Sequence, residues 1–311
     1  MEYSIFFASD DNYSMHLTVA ITSILINSKI GEFFNFYILD GGIKNKNKEK
    51  ITNLKKIKNF NLEFIQIKNE KIDKCPIPKG AEGFTKQMYF RYLIPIIKPN
   101  IDKALYLDCD LAVCSSLFEL YQIDLKNFYC AAILDEGEHQ YKINCKNAGV
   151  NKYFNSGVML INCKKWREEN LSDKLIQNTK LLFNKNRLMY PDQDVLNYTF
   201  KENVFFMENK FNFQSIRGFE KNKTKPVIVH YSGGKKPWKK GYEFFPECYL
   251  KPLYIAGFKK EFYKIKLNHF IWKFINSIFN AKNFYMEKKK YKMITILGFK
   301  FIKPYKNNFS N

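Results

Sequence analysis

The sequence predicts an α/β fold with a mixed, mostly parallel central sheet and helices on its faces. Short runs rich in β-branched and aromatic residues alternate along the chain with runs whose apolar residues recur at helical spacing. Strands that alternate with helices form right-handed βαβ units, and such units make parallel strands. With 311 residues, of which 46% are hydrophobic, the chain is also long enough to bury a large core.

Seven segments are predicted to be strands because β-branched and aromatic residues fill them and turn residues bound them. They are residues 3–8, 35–39, 62–67, 104–107, 130–134, 156–162 and 227–230. Helices are predicted between strands at residues 14–28, 44–58, 88–94 and 172–184. In the first of these helices the apolar residues Leu17, Ile21 and Ile24 recur at helical spacing.

Five polar residues stand at or just past the ends of predicted strands: Asp10, Asp40, Asp108, Asp135 and His230. In an open α/β sheet, ligands bind beyond the carboxyl ends of the strands. We therefore expect these five side chains to point into one crevice. For any one of them taken alone, an ordinary role in a turn is the alternative, because Asp favours turns and caps.

The segment ALYLDCDLAV, residues 104–113, places two carboxylates at the end of an apolar strand. Desolvating a carboxylate is costly unless a cation or several donors compensate it. Residues i and i+2 of a strand share a face, so Asp108 and Asp110 are expected to face one ion while Cys109 points into the structure. Carboxylates suit Mg²⁺ or Mn²⁺, and His230 as a third ligand favours Mn²⁺. The simplest role for such an ion is to neutralise a departing diphosphate.

Several classes of protein are disfavoured. The sequence contains neither GxGxxG nor GxxxxGK[ST], so neither a dinucleotide fold nor a P-loop ATPase is indicated. Its seven cysteines lack metal-ligand spacing, which favours free thiols in a reducing compartment such as the cytoplasm. The N-terminus has no basic n-region and is not typical of a secretory signal. No apolar run reaches 18 residues, so we expect no membrane span.

The formal net charge is +21, and over half of it lies near the C-terminus. Residues 251–311 contain 14 Lys, no Arg and 2 Glu, a net charge of +12, together with 15 of the 53 aromatic residues. The alternation of strands and helices also stops there. We therefore expect two parts, a main domain at residues 1–250 and a basic, aromatic, helical tail at residues 251–311.

Within the tail, residues 261–280 gather apolar side chains on one broad face of a helix. We call this the apolar face of the tail helix, and it consists of Tyr263, Leu267, Phe270, Ile271, Phe274, Ile275 and Ile278. A wide apolar face bordered by Lys is typical of a helix in a membrane interface, where each Lys near an anionic leaflet contributes about 1 kcal/mol. The alternative is a helix packed on the core of the main domain.

Seven motifs occur in an order that resembles a known family. They are FFASDDNY, FYILDGGI, MYFRYLIP, ALYLDCDLAV, YFNSGVMLINCKKW, YPDQDVLN and VHYSGGKKPW, and the resemblance extends from residue 3 to about residue 240. Together they resemble the nucleotide-sugar glycosyltransferases of family 8, especially the bacterial lipopolysaccharide galactosyl- and glucosyltransferases. The resemblance implies a GT-A (Rossmann-like) fold, a retaining mechanism, and transfer of galactose or glucose from a UDP-sugar to a saccharide or glycolipid acceptor.

The resemblance also implies roles for individual residues. The residues expected to bind Mn²⁺ are Asp108, Asp110 and His230. The residues expected to hold the uridine are Ala8, Asp10, Asn12 and Tyr13, and those expected in the loop on the diphosphate are Gly233 and Lys236. The residues expected to contact the donor sugar are Arg91, Asn155, Asp192 and Gln193.

Gln193 bears on the mechanism. An uncharged amide is a poor nucleophile, so we favour a front-side route in which the departing phosphate accepts the proton of the acceptor. Gln193 is then expected to stabilise positive charge at the anomeric carbon, and Asp192 to orient the sugar hydroxyls. Double displacement through a covalent intermediate stays open as the alternative.

Two other functions are compatible with parts of the sequence. The net charge suits a nucleic-acid-binding protein, yet the tail lacks Arg and no nucleic-acid motif occurs, so we expect no nucleic-acid partner. A non-catalytic scaffold for nucleotide sugars is disfavoured by the intact set that includes Asp192 and Gln193. The resemblance implies a role in lipopolysaccharide or lipooligosaccharide core assembly, and together with the basic tail it implies a location on the cytoplasmic face of the inner membrane.

Overall fold

The computed structural model describes residues 1–78, 84–135, 138–214, 225–234, 236–239, 242, 245–286, 291–296 and 299–304. The strands in chain order are β1 (Glu2–Ser9), β2 (Phe33–Asp40), β3 (Asn61–Gln66), β4 (Lys103–Leu107), β5 (Leu111–Val113), β6 (Cys130–Leu134), β7 (Phe154–Asn162), β8 (Val204–Phe206), β9 (Phe213–Gln214), β10 (Ile228–His230), β11 (Tyr291–Ile296) and β12 (Phe299–Pro304).

The α-helices in chain order are α1 (Ser14–Asn27), α2 (Asn45–Thr52), α3 (Glu70–Asp73), α4 (Ile94–Ile97), α5 (Phe118–Gln122), α6 (Glu138–Ala148), α7 (Cys163–Glu168), α8 (Leu171–Asn184), α9 (Pro191–Phe200), α10 (Pro246–Ile255) and α11 (Lys259–Met286). The helix predicted at residues 88–94 is instead largely a 3₁₀ helix, Lys86–Leu93. All six side chains from Met88 to Leu93 are buried, so this segment packs against the protein on every side.

The main sheet has seven strands in the order β3-β2-β1-β4-β7-β6-β8. Only β7 runs antiparallel to its neighbours, β4 and β6, while the other pairs are parallel. This confirms the predicted α/β fold with a mixed, mostly parallel sheet. Because β7 is reversed, its first residues lie at the same edge of the sheet as the carboxyl ends of the other strands.

Helices cover both faces of the main sheet because side chains alternate along its strands. In β1 the residues Tyr3, Ile5 and Phe7 belong to the core that includes α1, whereas Phe6 belongs to the core that includes α8 and α9. All four of these side chains are fully buried. The result is a layer of sheet between two layers of helices, as expected when both faces of a parallel sheet are apolar.

A second, smaller sheet has the order β5-β10-β9 and packs beside the main sheet. The strand predicted at residues 227–230 is therefore present, but it pairs with β5 and β9 rather than with the main sheet. Residues 108–110 form the bend between β4 of the main sheet and β5 of the small sheet. Asp108 and Asp110 thus lie in a bend, and not on one extended strand as expected from the sequence.

The small sheet shares a core with α1, α10 and the beginning of α11. In α10 the side chains Tyr249, Leu250 and Leu253 are buried in this core, so the boundary expected at residue 250 falls inside a packed helix. From α11 the side chain of Ile265 is buried in the same core, and Phe262 packs against it. The first part of the expected tail is therefore attached to the main domain.

The apolar face of the tail helix is exposed. Its exposed members are Tyr263, Leu267, Phe270, Ile271, Phe274 and Ile275, with exposures from 44% to 67%, and the side chain of Ile278 lies outside the described part. The alternative, burial of this face on the core, therefore does not hold for these six residues. In the described part of the chain, none of the helices combines the length and the apolar character needed to cross a membrane. Past α11, β11 and β12 form an antiparallel hairpin that the sequence analysis did not predict.

Candidate functional site

Most residues that the sequence singled out surround one cavity of about 440 Å³ at the carboxyl edge of the main sheet. Those that line it are Ala8, Asp10, Asn12, Tyr13, Arg91, Asp108, Asp110, Asp192 and Gln193. The loops after β1 and β4 line one side of the cavity, and the first turn of α9 lines the opposite side. The volume is in the range of small-molecule sites in proteins.

The three residues that were expected to bind a metal form a compact cluster where the two sheets meet. Asp108, Asp110 and His230 each offer one ligand atom, and these three atoms lie within 4.8 Å of one another. The imidazole Nε2 of His230 lies 3.3 Å from Oδ1 of Asp110 and 3.8 Å from Oδ2 of Asp108. Two carboxylates and one imidazole are a donor set that fits a divalent cation such as Mn²⁺.

Asn212 orients the ring of His230. Its Oδ1 lies 3.0 Å from Nδ1 of His230, while its Nδ2 donates to Oδ1 of Asn155 at 3.0 Å. The side-chain oxygen of Asn212 can only accept, so Nδ1 of His230 carries the proton. The lone pair on Nε2 therefore faces the two carboxylates, which is the orientation that a metal-ligating histidine needs.

Gly157 in β7 provides the space for this cluster. A Cβ at this position would lie 2.2 Å from Cε1 of His230 and 2.6 Å from Oδ2 of Asp108. The backbone also contributes, because the N–H of Asp108 donates to the carbonyl of Gly157 at 2.8 Å. Any side chain at residue 157 would push the two ligands apart.

Lys236 provides a cation beside Asp110. Its ammonium contacts Oδ2 of Asp110 and donates to the carbonyl of Tyr231 at 2.6 Å. Burial alone would raise the pKa of Asp110, but the positive charge of Lys236 outweighs burial and holds this pKa well below its usual range. Asp110 is therefore ionised throughout the neutral pH range. Gly233, expected in the same loop, is exposed, has φ +75° and does not line the cavity among the described residues.

Arg91 joins the acidic cluster to the opposite wall. Its guanidinium lies 2.9 Å from Oδ1 of Asp108 and 3.1 Å from Oδ2 of Asp192, and it donates to the carbonyl of Ser156 at 2.7 Å. It also lies over the ring of Tyr106, whose hydroxyl donates to Asp108. Burial raises the pKa of Asp192, and the charge of Arg91 partly offsets this increase. Arg91 therefore positions two carboxylates in addition to lining the cavity.

Gln193 is held by both ends of its amide. Its Oε1 accepts from the N–H of Ser156 at 3.0 Å and from Nδ2 of Asn155 at 3.2 Å, and its Nε2 donates to Asp135 at 2.7 Å. Asp135 follows β6 and was expected to point into the crevice; it does not line the cavity and contacts the site through Gln193. The amide is therefore fixed in one orientation against the wall of the cavity.

Asp192 and Gln193 lie in the first turn of α9. Pro191 begins this helix, where the missing N–H of proline costs no intrahelical hydrogen bond. Asp194 accepts from the N–H groups of Met189 and Tyr190 at 2.6 and 2.7 Å and stabilises the turn that leads into the helix. Burial raises the pKa of Asp194 to about 6, against the opposing effect of these hydrogen bonds.

The loop after β1 forms the other end of the cavity. Asp10 accepts from the N–H of Tyr13 at 3.1 Å and from Asn12 at 3.4 Å, so the loop is closed by its own side chains. Burial and the nearby negative charges, above all that of Asp110, raise the pKa of Tyr13 to about 12. The phenol of Tyr13 therefore stays neutral, and its side chain is 40% exposed at this end of the cavity.

Asp40 does not belong to the site, which corrects the expectation for this strand end. Its carboxylate accepts from the N–H groups of Gly42 and Ile43 and pairs with Lys48, so it stabilises the turn after β2.

The residues that sequence reasoning missed are Gly157, Asn212 and Ser156. Only Gly157 carried a usable signal, because a glycine inside a strand often marks a close approach of other atoms.

Comparison with known proteins gives a consistent result. The model of the family described as Glycosyl transferase family 8 matches residues 4–241. A putative glycosyltransferase of Haemophilus influenzae is 37% identical over 248 residues, which cover 76% of this chain and 73% of that protein. A lipopolysaccharide 1,3-galactosyltransferase of Salmonella typhimurium is 28% identical over 250 residues, with the same coverage of 76% and 73%.

Solved structures support the same relationship. The galactosyltransferase LgtC, in a complex with donor and acceptor sugar analogs, superimposes with a TM-score of 0.70 at 29% sequence identity. The superposition covers 82% of this chain and 96% of LgtC. This likeness confirms the GT-A fold that the sequence motifs implied.

Proposed function

Because the chain belongs to glycosyl transferase family 8, we propose that it is a retaining hexosyltransferase that moves galactose or glucose from a UDP-sugar to a saccharide acceptor. The observation that carries this proposal is the cluster of Asp108, Asp110 and His230 beside a cavity large enough for a nucleotide sugar. Relatives named as lipopolysaccharide glucosyl- and galactosyltransferases support the choice of sugars.

The UDP part of the donor is proposed to lie between the loop after β1 and the acidic cluster. Ala8, Asp10, Asn12 and Tyr13 line this end of the cavity and would hold the uridine. Lys236 has an ammonium next to the cluster and would contact the diphosphate, with Gly233 in the same loop. When held by Asp108, Asp110 and His230, Mn²⁺, or Mg²⁺ in its place, would offset the charge that develops on the departing UDP.

The sugar of the donor is proposed to lie against the wall that contains Arg91, Asp192 and Gln193, with Asn155 behind Gln193 and hydrogen-bonded to it. We favour front-side attack, in which the departing phosphate accepts the proton of the acceptor hydroxyl. The fixed amide of Gln193 would then stabilise positive charge at the anomeric carbon, and Asp192 would orient sugar hydroxyls.

Gln193→Ala tests this mechanism. Because the amide only stabilises charge, the variant should keep measurable transfer, reduced by about 10²–10³-fold in kcat as for the loss of one electrostatic contact. Radiolabelled transfer and intact-protein mass spectrometry are the measurements. Complete loss of transfer with unchanged donor binding, or a glycosyl adduct trapped on a protein residue, would favour double displacement instead.

The acceptor is proposed to be a saccharide or glycolipid of the lipopolysaccharide or lipooligosaccharide core. The exposed apolar face of the tail helix supports attachment to the cytoplasmic face of the inner membrane, where a glycolipid acceptor is accessible. The net charge of +12 at residues 251–311 favours an anionic leaflet.

Calorimetric titration with UDP-galactose and UDP-glucose, with and without Mn²⁺, tests the proposed donor and metal. The wild type should bind one or both donors, at least tenfold more tightly with Mn²⁺ present. Asp108→Asn keeps the shape of the side chain but removes one ligand charge, and it should lose most of this metal dependence. Nucleotide binding that ignores both the metal and this substitution would refute the proposal.

A further inference from the structure

Lys236 has an unusual place for a lysine, because its ammonium is buried against a residue of the proposed metal site. Its side chain is only 11% exposed, and its Nζ contacts Oδ2 of Asp110. The other oxygen of Asp110 faces Nε2 of His230. The two oxygens of Asp110 are thus divided between the proposed metal site and a cation of the chain itself.

The backbone around Lys236 is anchored on two helices. Trp238 stacks on the ring of His16 in α1 with centroids 3.8 Å apart, and His16 is hydrogen-bonded to the hydroxyl of Tyr249 in α10 at 2.7 Å. Pro237, between the two side chains, is buried. The part that is free to change direction is therefore the four-carbon side chain of Lys236, which can reorient without moving the loop.

The charges of the site make Lys236 a competitor of a divalent cation. Three carboxylates, those of Asp108, Asp110 and Asp192, face two cations, Arg91 and Lys236. Arg91 is fixed between Asp108 and Asp192, so it cannot leave without unpairing buried charges. A divalent cation that takes Asp110 as a ligand must therefore share this carboxylate with the ammonium of Lys236, and the two positive charges repel each other.

We propose that Lys236 couples the binding of the metal to the binding of the nucleotide. The proposal rests on the proposed function of the site. While no diphosphate is bound, the ammonium of Lys236 stays on Asp110 and weakens binding of the metal. A diphosphate attracts the ammonium away from Oδ2 of Asp110, so the nucleotide strengthens metal binding. Lys236 then strengthens a coupling that the direct attraction between the metal and the diphosphate already supplies.

Mn²⁺ binding, measured from the paramagnetic resonance signal of the free ion, tests this coupling. Affinity for Mn²⁺ is determined without and with saturating UDP in the wild type and in Lys236→Gln, which removes the charge and can still donate to Tyr231. The variant should bind Mn²⁺ alone at least tenfold more tightly. The factor by which UDP strengthens Mn²⁺ binding should fall at least tenfold, and titration of UDP without and with Mn²⁺ must give the same factor.

Two variants serve as controls. Lys239→Gln removes the same charge from the same loop, but its ammonium is exposed and donates to the carbonyl of Gly234 at 3.2 Å, so both affinities should match the wild type. Lys236→Arg keeps the charge and should keep the weak binding of Mn²⁺ alone. Thermal melting by circular dichroism confirms folding, and Lys236→Met is the second neutral variant if Lys236→Gln melts early.

Two results would overturn the proposal in distinguishable ways. If neutral variants at residue 236 bind Mn²⁺ alone no more tightly than the wild type, while UDP still strengthens Mn²⁺ binding, the coupling by Lys236 is refuted and the proposed function stands. If the wild type shows no Mn²⁺-dependent UDP binding at all, both the coupling and the proposed function are refuted.

Discussion

Gly157 controls how closely the two sides of the proposed metal site approach each other. It lies in β7, where no positive φ requires a glycine, so the reason for glycine is space and not backbone conformation. The positions of Asp108 and His230 leave no room for a methyl group there. A single missing side chain thus sets the spacing of two ligands from different sheets.

Gly157→Ala should displace Asp108 and His230 and weaken Mn²⁺ binding at least tenfold. Overpacking of this kind typically costs about 1–3 kcal/mol, so the protein should still fold with a lowered melting temperature. Mn²⁺ titration and circular dichroism are the measurements. Gly234→Ala is the matched control because a Cβ there meets nothing within 4 Å among the described residues. Equal Mn²⁺ affinity in both variants would contradict this account of Gly157.

His16 is a buried histidine whose ring stacks on Trp238 and is hydrogen-bonded to the hydroxyl of Tyr249. Burial is the main reason that its pKa falls to about 4 from 6.5, and the positive charge of Lys236 adds to the fall while Asp110 opposes it. Because the folded state disfavours the protonated ring, His16 favours folding fully above about pH 6.5. This contribution is lost as the pH falls toward 4.

His16→Phe should therefore reduce the acid sensitivity of the protein. Phenylalanine keeps a flat ring to stack on Trp238 but cannot be protonated. Between about pH 7.5 and about pH 5 the wild type should lose roughly 2 kcal/mol more of its free energy of unfolding than the variant does. Urea denaturation at the two pH values measures this difference. Identical losses in the two proteins would show that His16 does not titrate on unfolding in this range.

At the scale of elements, the reversed direction of β7 brings Asn155, Ser156 and Gly157 to the site. The carboxyl end of a parallel strand at this position would have placed Asn162 there instead. Sequence periodicity identifies a strand but not its direction, because side chains alternate in the same way in both. Asn155 was therefore found through the family motif and not through the rule for strand ends.

The tail helix α11 is attached to the domain along one side and exposed along the other. Ile265 is buried in the core of the small sheet, while the apolar face of the tail helix remains in contact with solvent. A contiguous exposed apolar surface bordered by Lys marks an interaction site. Point substitutions on this face test the proposed membrane attachment and leave α10 intact, whereas deletion of residues 251–311 would also remove part of this packed helix.

Replacing Leu267, Phe270 and Phe274 together by Ser should lower binding to vesicles that contain phosphatidylglycerol at least tenfold. Each large apolar side chain contributes roughly 1.5–3 kcal/mol when fully buried, so three partly inserted side chains suffice for this effect. Cosedimentation with vesicles is the measurement. Ile30→Ser with Ile96→Ser is the control, since these side chains are also highly exposed but lie outside the tail. Unchanged binding of the triple variant would remove the support for membrane attachment through α11.

At the scale of the whole molecule, the proposed active site lies where the main sheet and the small sheet meet. The main sheet supplies Asp108 at the end of β4, and the small sheet supplies His230 at the end of β10. The bend at residues 108–110 connects the two sheets directly, and Asn212 spans them by bonding to His230 and Asn155. The site therefore depends on the position of the two sheets relative to each other.

The sequence alone determined seven of the strands, three of the helices that flank the main sheet, and the residue types of the acidic cluster. These properties are local, because hydrophobic periodicity and turn residues act within a few residues of the chain. The order of the seven motifs added the family and hence the GT-A fold.

Tertiary structure decided the rest. In the folded protein β7 runs antiparallel to its neighbours, and β10 belongs to a second sheet. Asp40 stabilises a turn, and the ammonium of Lys236 contacts Asp110. Each of these outcomes depends on which distant strands pair and which buried charges meet. Hydrophobic periodicity reports only local secondary structure, so it does not reveal such long-range contacts.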